Sequence, residues 1–524
     1  MINTPSATRG MVTAPHHLAA QSGLAVLRDG GDAIEAMVAA AATIAVVYPH
    51  MNGIGGDGFW IVSRPGQAPV AIDACGPAAA AATPEAYADR SAIPSRGPGA
   101  ALTVPGTIGG WQTALQLSGG QTPLARLLAD AIGYAGHGVP VTAGQAELGR
   151  AKLAELRDVP GFAPVFLADS RVPAPGDRFR QPALAETLAR LAETGLDDFY
   201  RGQIARALAA DLAAAGSPLT ADDLAAYTAQ QRTPLSVRLD GARAYNMPPP
   251  TQGLAQLMIL GLFDRIQPKA ADDFAFVHRL VEATKQAFLV RNAEVRDPAA
   301  MAQPADAFLE SGYLDALAGR IDPARALAWE RPGQVGDTIW MGAIDQDGTA
   351  VSFIQSLYWE FGSGVVSPET GVLLQNRGAS FSLDPANNNR LAPGRKPFHT
   401  LVPGYAEFDD GRRLVYGTMG GEGQPQTMGA VFARYARCGQ GLQEAITAPR
   451  WLLGRTWGAE STTLKLESRF DRALIDQLRA AGHAVEVLEP FSNTMGHAGA
   501  VVRHPDGSLD GASDPRSDGG VAAW

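Results

Sequence analysis

The sequence predicts an α+β fold in which two β-sheets lie between two layers of helices, an αββα sandwich. Between residues 121 and 229 apolar side chains recur at helical spacing, whereas strands and turns dominate from Thr338 to about residue 420. A helix-rich part and a strand-rich part bury their apolar faces most simply by packing together in layers. We therefore expect both parts of the chain to contribute to one layered unit.

Composition excludes several classes of protein. The 524 residues are 46% hydrophobic and 18% charged, and a net charge of −10 is spread without long basic or acidic runs, so a nucleic-acid partner is not expected. The longest apolar run, Ala36 to Val47, is shorter than the roughly 20 residues of a membrane span. The N-terminus has neither the basic nor the apolar region of a signal peptide, which favours a cytoplasmic location.

The first elements are predicted from local patterns. A short strand at 11–14 precedes a helix that stops at Gly30-Gly31, and Asp32 can cap a second, Ala-rich helix that ends near Val47. The glycine-rich turn at 52–58 precedes a strand and opens no helix, so a tight turn is favoured over a nucleotide-binding loop.

The middle of the chain reads as helical and the end as mixed. Helices are predicted at 121–136, 143–157, 182–194, 199–215, 220–229, 254–266 and 274–295. We expect His278 to be partly exposed. Later, strands are predicted at 371–374, 400–403 and 413–416, a helix at 425–437, β-α-β passages through 463–489 and 497–503, and then a polar tail.

A hairpin well past the midpoint of the chain carries a candidate nucleophile. A turn-prone segment, 331–334, precedes a predicted strand that begins at Thr338, and a turn at 345–348 leads to a second strand at 350–356. The sequence has no Gly-x-Ser-x-Gly elbow, and its histidines and its two cysteines, Cys75 and Cys438, fit no metal-ligand spacing. A threonine freed at its own N-terminus can use its amine as general base, and a Gly-Gly turn can supply an oxyanion hole.

These features together resemble the γ-glutamyltranspeptidase family of N-terminal-nucleophile hydrolases over essentially the full length. The landmarks are 11–13, 52–57, 104–106, 248–250, the hairpin from Thr338, 397–403 and 419–421. The resemblance implies an αββα sandwich formed jointly by two autoprocessed subunits, a helix-rich large subunit 1–337 and a strand-rich small subunit 338–524. The cleaved bond would join Asp337 to Thr338.

The resemblance also implies roles for individual residues. Thr338 would be the nucleophile, Ser356 a second hydroxyl near the new amine, and Gly420 and Gly421 the oxyanion positions. It implies no metal and no organic cofactor. The partners would be a small-molecule amide and the two fragments of the precursor, with no nucleic acid or membrane; a homodimer of the processed unit is left open.

The departures concern the substrate. The stretch in which the family has its carboxylate-binding arginine corresponds to residues 73–77, which contain no arginine. Ser380 stands where the family has the aspartate that binds the ammonium group. The family's Ser-Ser pair corresponds to His399-Thr400, and one of its asparagines corresponds to Tyr358. An ammonium group without a carboxylate partner loses a charge-assisted hydrogen bond worth roughly 1.5–3 kcal/mol. Activity on glutathione is therefore expected to be weak or absent.

Arg377 suits bidentate capture of a small carboxylate, with His399, Thr400 and Tyr358 as further donors, although a solvated loop position is the alternative. The stretches 376–382, 396–400 and 417–421 resemble the oxamate amidohydrolase-like subgroup, which implies hydrolysis of oxamate to oxalate and ammonia. The alternatives are a γ-glutamyltransferase or glutathione hydrolase with an altered clamp, an acylase for larger acyl groups, and an inactive relative that acts as a binding protein. Whether water or an amine is the usual acceptor stays open.

Overall fold

A computed structural model describes residues 3–266, 270–330, 336–455 and 461–524. The turn-prone segment predicted at 331–334 lies outside the described residues. The strands are β1 Ser6–Ala7, β2 Gly10–Ala14, β3 Asp57–Ser63, β4 Val70–Ala74, β5 Val139–Pro140, β6 Arg178–Phe179, β7 Gln230–Arg232, β8 Leu235–Leu239, β9 Ala242–Asn246, β10 Asp337–Asp345, β11 Ala350–Tyr358, β12 Gly404–Phe408, β13 Arg413–Thr418, β14 Trp451–Leu453, β15 Leu464–Glu467, β16 Val485–Leu488, β17 Ala498–Arg503, β18 Leu509–Ser513 and β19 Gly520–Ala523.

The helices agree closely with the spacing of apolar residues. They are α1 His17–Arg28, α2 Ala33–Val47, α3 Thr107–Leu117, α4 Leu124–His137, α5 Ala143–Leu156, α6 Phe162–Phe166, α7 Pro182–Thr194, α8 Asp198–Arg201, α9 Gln203–Ala215, α10 Ala221–Ala226, α11 Gly253–Ile266, α12 Phe274–Glu294, α13 Ser311–Ala318, α14 Gly423–Ala436, α15 Leu442–Thr447 and α16 Arg472–Ala480. Asp32 caps α2 as predicted, because its carboxylate accepts hydrogen bonds from the backbone N–H groups of Ile34 and Glu35.

Two seven-stranded sheets form the centre. One has the strand order β19-β2-β10-β11-β3-β4-β7, the other β1-β18-β17-β13-β12-β9-β8. Every neighbouring pair within them is antiparallel. The hairpin predicted from residues 338–356 is the β10–β11 pair, which lies in the middle of the first sheet.

Alternating side chains explain the layers. In β10, Trp340 and Ile344 lie in a buried cluster with Val415 of the second sheet, whereas Met341 on the opposite face packs in a cluster with α2. In β13, Leu414 points away from Val415 into a third cluster, which includes α11, α12 and α14. Since successive strand residues face opposite sides, each sheet is buried on both faces. The predicted αββα sandwich is confirmed.

Several local predictions were wrong. The segments 371–374 and 400–403 form isolated bridges and loops rather than strands. The predicted polar tail instead forms β18 and β19, and β19 pairs with β2 at the edge of the first sheet. His278 is fully buried rather than partly exposed. The β19–β2 pair and the contact of His278 with His483 join segments distant in sequence.

Within the described residues no helix is long and apolar enough to cross a membrane. Cys75 and Cys438 are both free thiols, the first buried and the second partly exposed. The thiol of Cys75 lies among buried polar groups close to the candidate site, where burial raises its pKa well above the ordinary value.

Candidate active site

The start of β10 buries a peptide bond among polar groups. Asp337 and Thr338 are each 1% exposed, and the pairing of β10 with β11 is irregular between Asp337 and Ile339. The Thr338 N–H donates to Asp337 Oδ1 at 2.8 Å, and the Thr338 hydroxyl contacts the Asp337 carbonyl oxygen. The hydroxyl therefore lies beside the carbonyl group that precedes it.

Ser356, on the neighbouring strand, approaches the same carbonyl. Its hydroxyl donates to the Asp337 carbonyl oxygen at 2.5 Å and accepts from the Tyr358 backbone N–H at 2.7 Å. Tyr358 has a φ of 84°, a left-handed conformation that is unfavourable for a non-glycine residue. This turn of the backbone ends β11 directly beside the Asp337–Thr338 peptide.

The glycine-rich turn at 52–58 packs against these strands. A Cβ at Gly56 would lie 2.1 Å from the Ser356 carbonyl oxygen, and one at Gly55 would lie 2.2 Å from the Leu373 carbonyl oxygen. Side chains at either position would overlap the backbone, so the predicted tight turn serves close approach of two chain segments.

The Gly-Gly turn lies close to the segment that precedes Thr338. Gly420 and Gly421 have φ values of 121° and 51°, just before α14 begins. A Cβ at Gly336 would lie 3.1 Å from the Gly421 Cα. Neither backbone N–H of the two glycines donates a hydrogen bond within the described part of the chain. Both donors are thus available close to the segment that precedes Thr338.

A buried network that sequence reasoning missed holds this turn. The Gln252 side-chain amide donates to the carbonyl oxygens of Thr400 and Gly421, at 2.7 and 2.8 Å. Its Oε1 accepts from Arg291 at 2.8 Å, and Arg291 forms an ion pair with Glu422 at 3.0 Å. One amide therefore connects the Gly-Gly turn to the 397–403 segment.

Arg377 is buried, not a solvated loop residue. The residue is 1% exposed, its guanidinium stacks 3.8 Å over the Tyr358 ring, and its Nη1 donates to Thr400 Oγ1 at 3.3 Å. Its Nε and Nη2 have no hydrogen-bond partner among the described residues. Burial lowers the pKa of Arg377. Two buried, cationic N–H donors without acceptors mark a place for an anion.

His399 contacts a second buried group, Asp57. Its Nε2 lies 3.1 Å from Asp57 Oδ2, while Asp57 Oδ1 accepts from the Gln375 side chain at 3.0 Å. Burial lowers the pKa of His399 well below its ordinary value and raises the pKa of Asp57 to about 7, against the opposing effect of Arg377. His399 is thus neutral and engaged with Asp57, and it supports the pocket from behind.

The predicted site residues divide into two groups. A Cβ at Gly336 would lie 3.5 Å from both Thr400 Oγ1 and Tyr358 Cε2, so these side chains face the segment before Thr338. Ser380 differs, since its hydroxyl donates to the Phe398 carbonyl oxygen. The structure brings Thr338, Ser356, Tyr358, Arg377, Thr400, Gly420 and Gly421 into one neighbourhood, with His399 behind it.

Two buried groups of side chains have the composition of metal ligands, although no spacing in the sequence indicated them. They are Asp57, Cys75 and His399, and His278, Glu282 and His483. In the second group His278 Nδ1 lies 2.9 Å from His483 Nε2, and Glu282 pairs with Lys285 at 2.7 Å. Their polar atoms are hydrogen-bonded to other protein groups, and both groups join segments remote in sequence.

Known proteins resemble this chain over nearly its whole length. The family model described as gamma-glutamyltranspeptidase matches residues 19–524. The chain is 57% identical to the oxamate amidohydrolase proenzyme of Klebsiella pneumoniae over 521 residues, 99% of each chain. It is 41% identical to the glutathione hydrolase-like YwrD proenzyme of Bacillus subtilis, over 98% of each.

Solved structures show the same fold. The crystal structure of cephalosporin acylase from Bacillus halodurans superposes with a TM-score of 0.92 at 34% identity, over all of this chain and 97% of the other. Family match, identity and fold extend over nearly the whole length. The chain belongs to the γ-glutamyltranspeptidase family and has the αββα sandwich of the N-terminal-nucleophile hydrolases.

Proposed function

We propose that this protein is a self-processing threonine amidohydrolase that hydrolyses the amide of a small carboxylate-bearing substrate, with oxamate as the best single candidate. Its chain would cleave itself between Asp337 and Thr338 into a large subunit, 1–337, and a small subunit, 338–524. The hydrogen bonds of the Asp337 carbonyl to two hydroxyls support this proposal. Such donors polarise a carbonyl group towards attack by a neighbouring hydroxyl.

After cleavage the same groups would serve amide hydrolysis. The freed α-amine of Thr338 acts as general base and its Oγ attacks the substrate carbonyl, which gives a tetrahedral intermediate. The carbon–nitrogen bond of this intermediate breaks, ammonia leaves with a proton returned by the amine, and water hydrolyses the acyl-enzyme that remains. The backbone N–H groups of Gly420 and Gly421 stabilise the oxyanion, a contribution of roughly 3–4 kcal/mol for one such donor in a comparable site. Ser356 lies beside Thr338 and holds the new amine.

The single observation that carries the substrate class is the pair of unpartnered donors on buried Arg377. A carboxylate can accept from both donors at once, with the Tyr358 ring beneath and the Thr400 hydroxyl beside it. An acid bound there needs no α-amine, and position 380 carries a serine instead of a carboxylate. A γ-glutamyl substrate would leave its ammonium group without that partner.

The relatives support the same direction. The relative that is 57% identical is named oxamate amidohydrolase proenzyme, whereas a relative named glutathione hydrolase proenzyme, from Escherichia coli, is 30% identical. Oxamate places its amide carbonyl one bond from its carboxylate. With its carboxylate bound to Arg377, oxamate would therefore hold its amide close to Arg377. So short a distance between the bound carboxylate and the reacting amide suits a small substrate.

A denaturing gel and two substrates test the proposal. The wild-type chain should give two fragments, the smaller beginning Thr-Ile-Trp, and Thr338→Ala should stay intact and inactive, while the hairpin control Thr349→Ala should be cleaved. Ammonia should be released from oxamate faster than p-nitroaniline from γ-glutamyl p-nitroanilide. Cleavage of Thr338→Ala would refute the nucleophile, and turnover of the anilide alone would refute the substrate class.

A further inference from the structure

The scissile nitrogen has an unusual neighbour, the side chain of the residue before it. The Thr338 N–H donates to Asp337 Oδ1 at 2.8 Å, so the carboxyl group contacts the nitrogen that would leave as an amine when the bond breaks. The residue is 1% exposed, and Oδ2 has no hydrogen-bond partner among the described residues. No arginine or lysine of the described chain forms an ion pair with it at 4.0 Å or less.

We propose that the Asp337 carboxylic acid is the proton donor for self-cleavage, delivering a proton to the Thr338 nitrogen. This inference rests on the proposed function, since it names the acid of that same cleavage. It makes Asp337 a catalytic residue of processing as well as the residue whose carbonyl is attacked.

The step balances with no external reactant except water. A bond forms between Thr338 Oγ1 and the Asp337 carbonyl carbon, and the carbon–nitrogen bond breaks. The side-chain acid gives its proton to the departing nitrogen, and the resulting carboxylate takes the proton that Oγ1 releases. Water then hydrolyses the ester, which yields the Asp337 α-carboxylate and restores the Thr338 hydroxyl.

The surroundings keep this acid protonated. Burial is the largest effect on Asp337 and the negative charge of Glu360 adds to it, so the pKa lies well above the ordinary value, against weaker opposition from the Thr338 N–H and Lys152. Tyr48 also interacts with Asp337, and its own pKa is raised as well, mainly by burial. A carboxylic acid that stays neutral can donate a proton near physiological pH.

The sign of the pH dependence follows. With a raised pKa the acid form predominates below that pKa, and it is lost as pH rises through it. Proton donation by Asp337 therefore predicts that its advantage over a non-acidic side chain falls at alkaline pH. Glu360, Lys152 and Tyr48 remain in both proteins, so a comparison of the two isolates Asp337.

The experiment follows processing of full chains from cell-free synthesis on denaturing gels between pH 6 and pH 10. Asp337→Asn keeps the shape but cannot supply the proton, and it should cleave about 100-fold or more slowly at neutral pH. Asp345→Asn is the matched control, since Asp345 is a buried carboxyl on the same strand with a raised pKa. It should cleave at the wild-type rate.

The outcomes separate this inference from the proposed function. Asp337→Asn that cleaves at the wild-type rate, or slowly with a constant ratio to wild type at every pH, overturns the proton donor and leaves Thr338 as nucleophile. A wild-type chain that never cleaves overturns the proposed processing itself. Should Asp337→Asn fail to fold, the wild-type profile decides: a rate that still rises up to pH 10 refutes the acid.

Discussion

Replacing Arg377 tests whether a carboxylate binds where the structure leaves two cationic donors free. In Arg377→Gln both unpartnered donors, Nε and Nη2, and the charge are lost. A hydrogen bond to a charged group contributes roughly 1.5–3 kcal/mol. Counting the two bonds at the low end gives about 3 kcal/mol, or about 100-fold, since 1.4 kcal/mol is tenfold.

The loss should fall mainly on KM for oxamate, because the carboxylate is bound in both the ground state and the transition state. Arg377→Lys keeps a charge but not the planar fork, and we expect a loss of about tenfold. Initial rates of ammonia release over a range of oxamate concentrations measure both. The oxalate diamide, oxamide, is the substrate control, since it carries no carboxylate and should lose little.

Self-cleavage into two fragments shows that each variant has folded, so a change in KM can be assigned to the pocket. The reasoning is refuted if Arg377→Gln retains the wild-type KM for oxamate. It is equally refuted if oxamide and oxamate lose activity by the same factor, because the lost interaction would then not depend on the carboxylate.

Two further predictions concern the groups around Thr338. Ser356→Ala removes the 2.5 Å hydrogen bond to the Asp337 carbonyl and should slow self-cleavage by about 100-fold on a time-resolved gel. The control Ser352→Ala, on the same strand, loses only the hydrogen bond from Trp340 and should cleave at the normal rate. Equal cleavage rates for the two variants would contradict the role of Ser356. Gln252→Leu leaves the Gly421 and Thr400 carbonyls without their donor and should lower kcat about tenfold or more. Gln256→Leu, four residues later and within α11, should not lower kcat. A kcat unchanged by Gln252→Leu would refute its positioning role.

Local pattern predicted the hairpin that carries Thr338 because its information is local. β-rich runs flank a turn at 345–348, and the two strands pair with each other. The edge strand β19 could not be predicted in this way. Its partner β2 lies roughly 500 residues earlier, and neither the small residues of β19 nor the polar segment before it indicates that pairing.

The site shows the same division. Thr338, Gly420 and Gly421 could be proposed from residue type and resemblance, since a hydroxyl at a strand start and a Gly-Gly turn are visible in the sequence. Gln252 carries no such signal, because locally it reads as the start of α11. Its role depends on two carbonyl groups that follow it by 148 and 169 residues. Arg377 lay between these cases: its type suggested an anion site, but only its contacts show burial.

The contacts of Gln252 connect the two halves of the site. One amide fixes the carbonyl of Gly421, beside the segment that precedes Thr338, and that of Thr400, whose hydroxyl accepts from Arg377. The amide loses one of these hydrogen bonds if either segment moves, and a buried polar group left unpaired costs roughly 1–3 kcal/mol. The Gly-Gly turn and the Arg377–Thr400 pair are therefore held at a fixed separation. Under the proposed function, a fixed separation favours an acid whose amide carbonyl lies at one set distance from its carboxylate, as in oxamate, over longer and more flexible acyl groups.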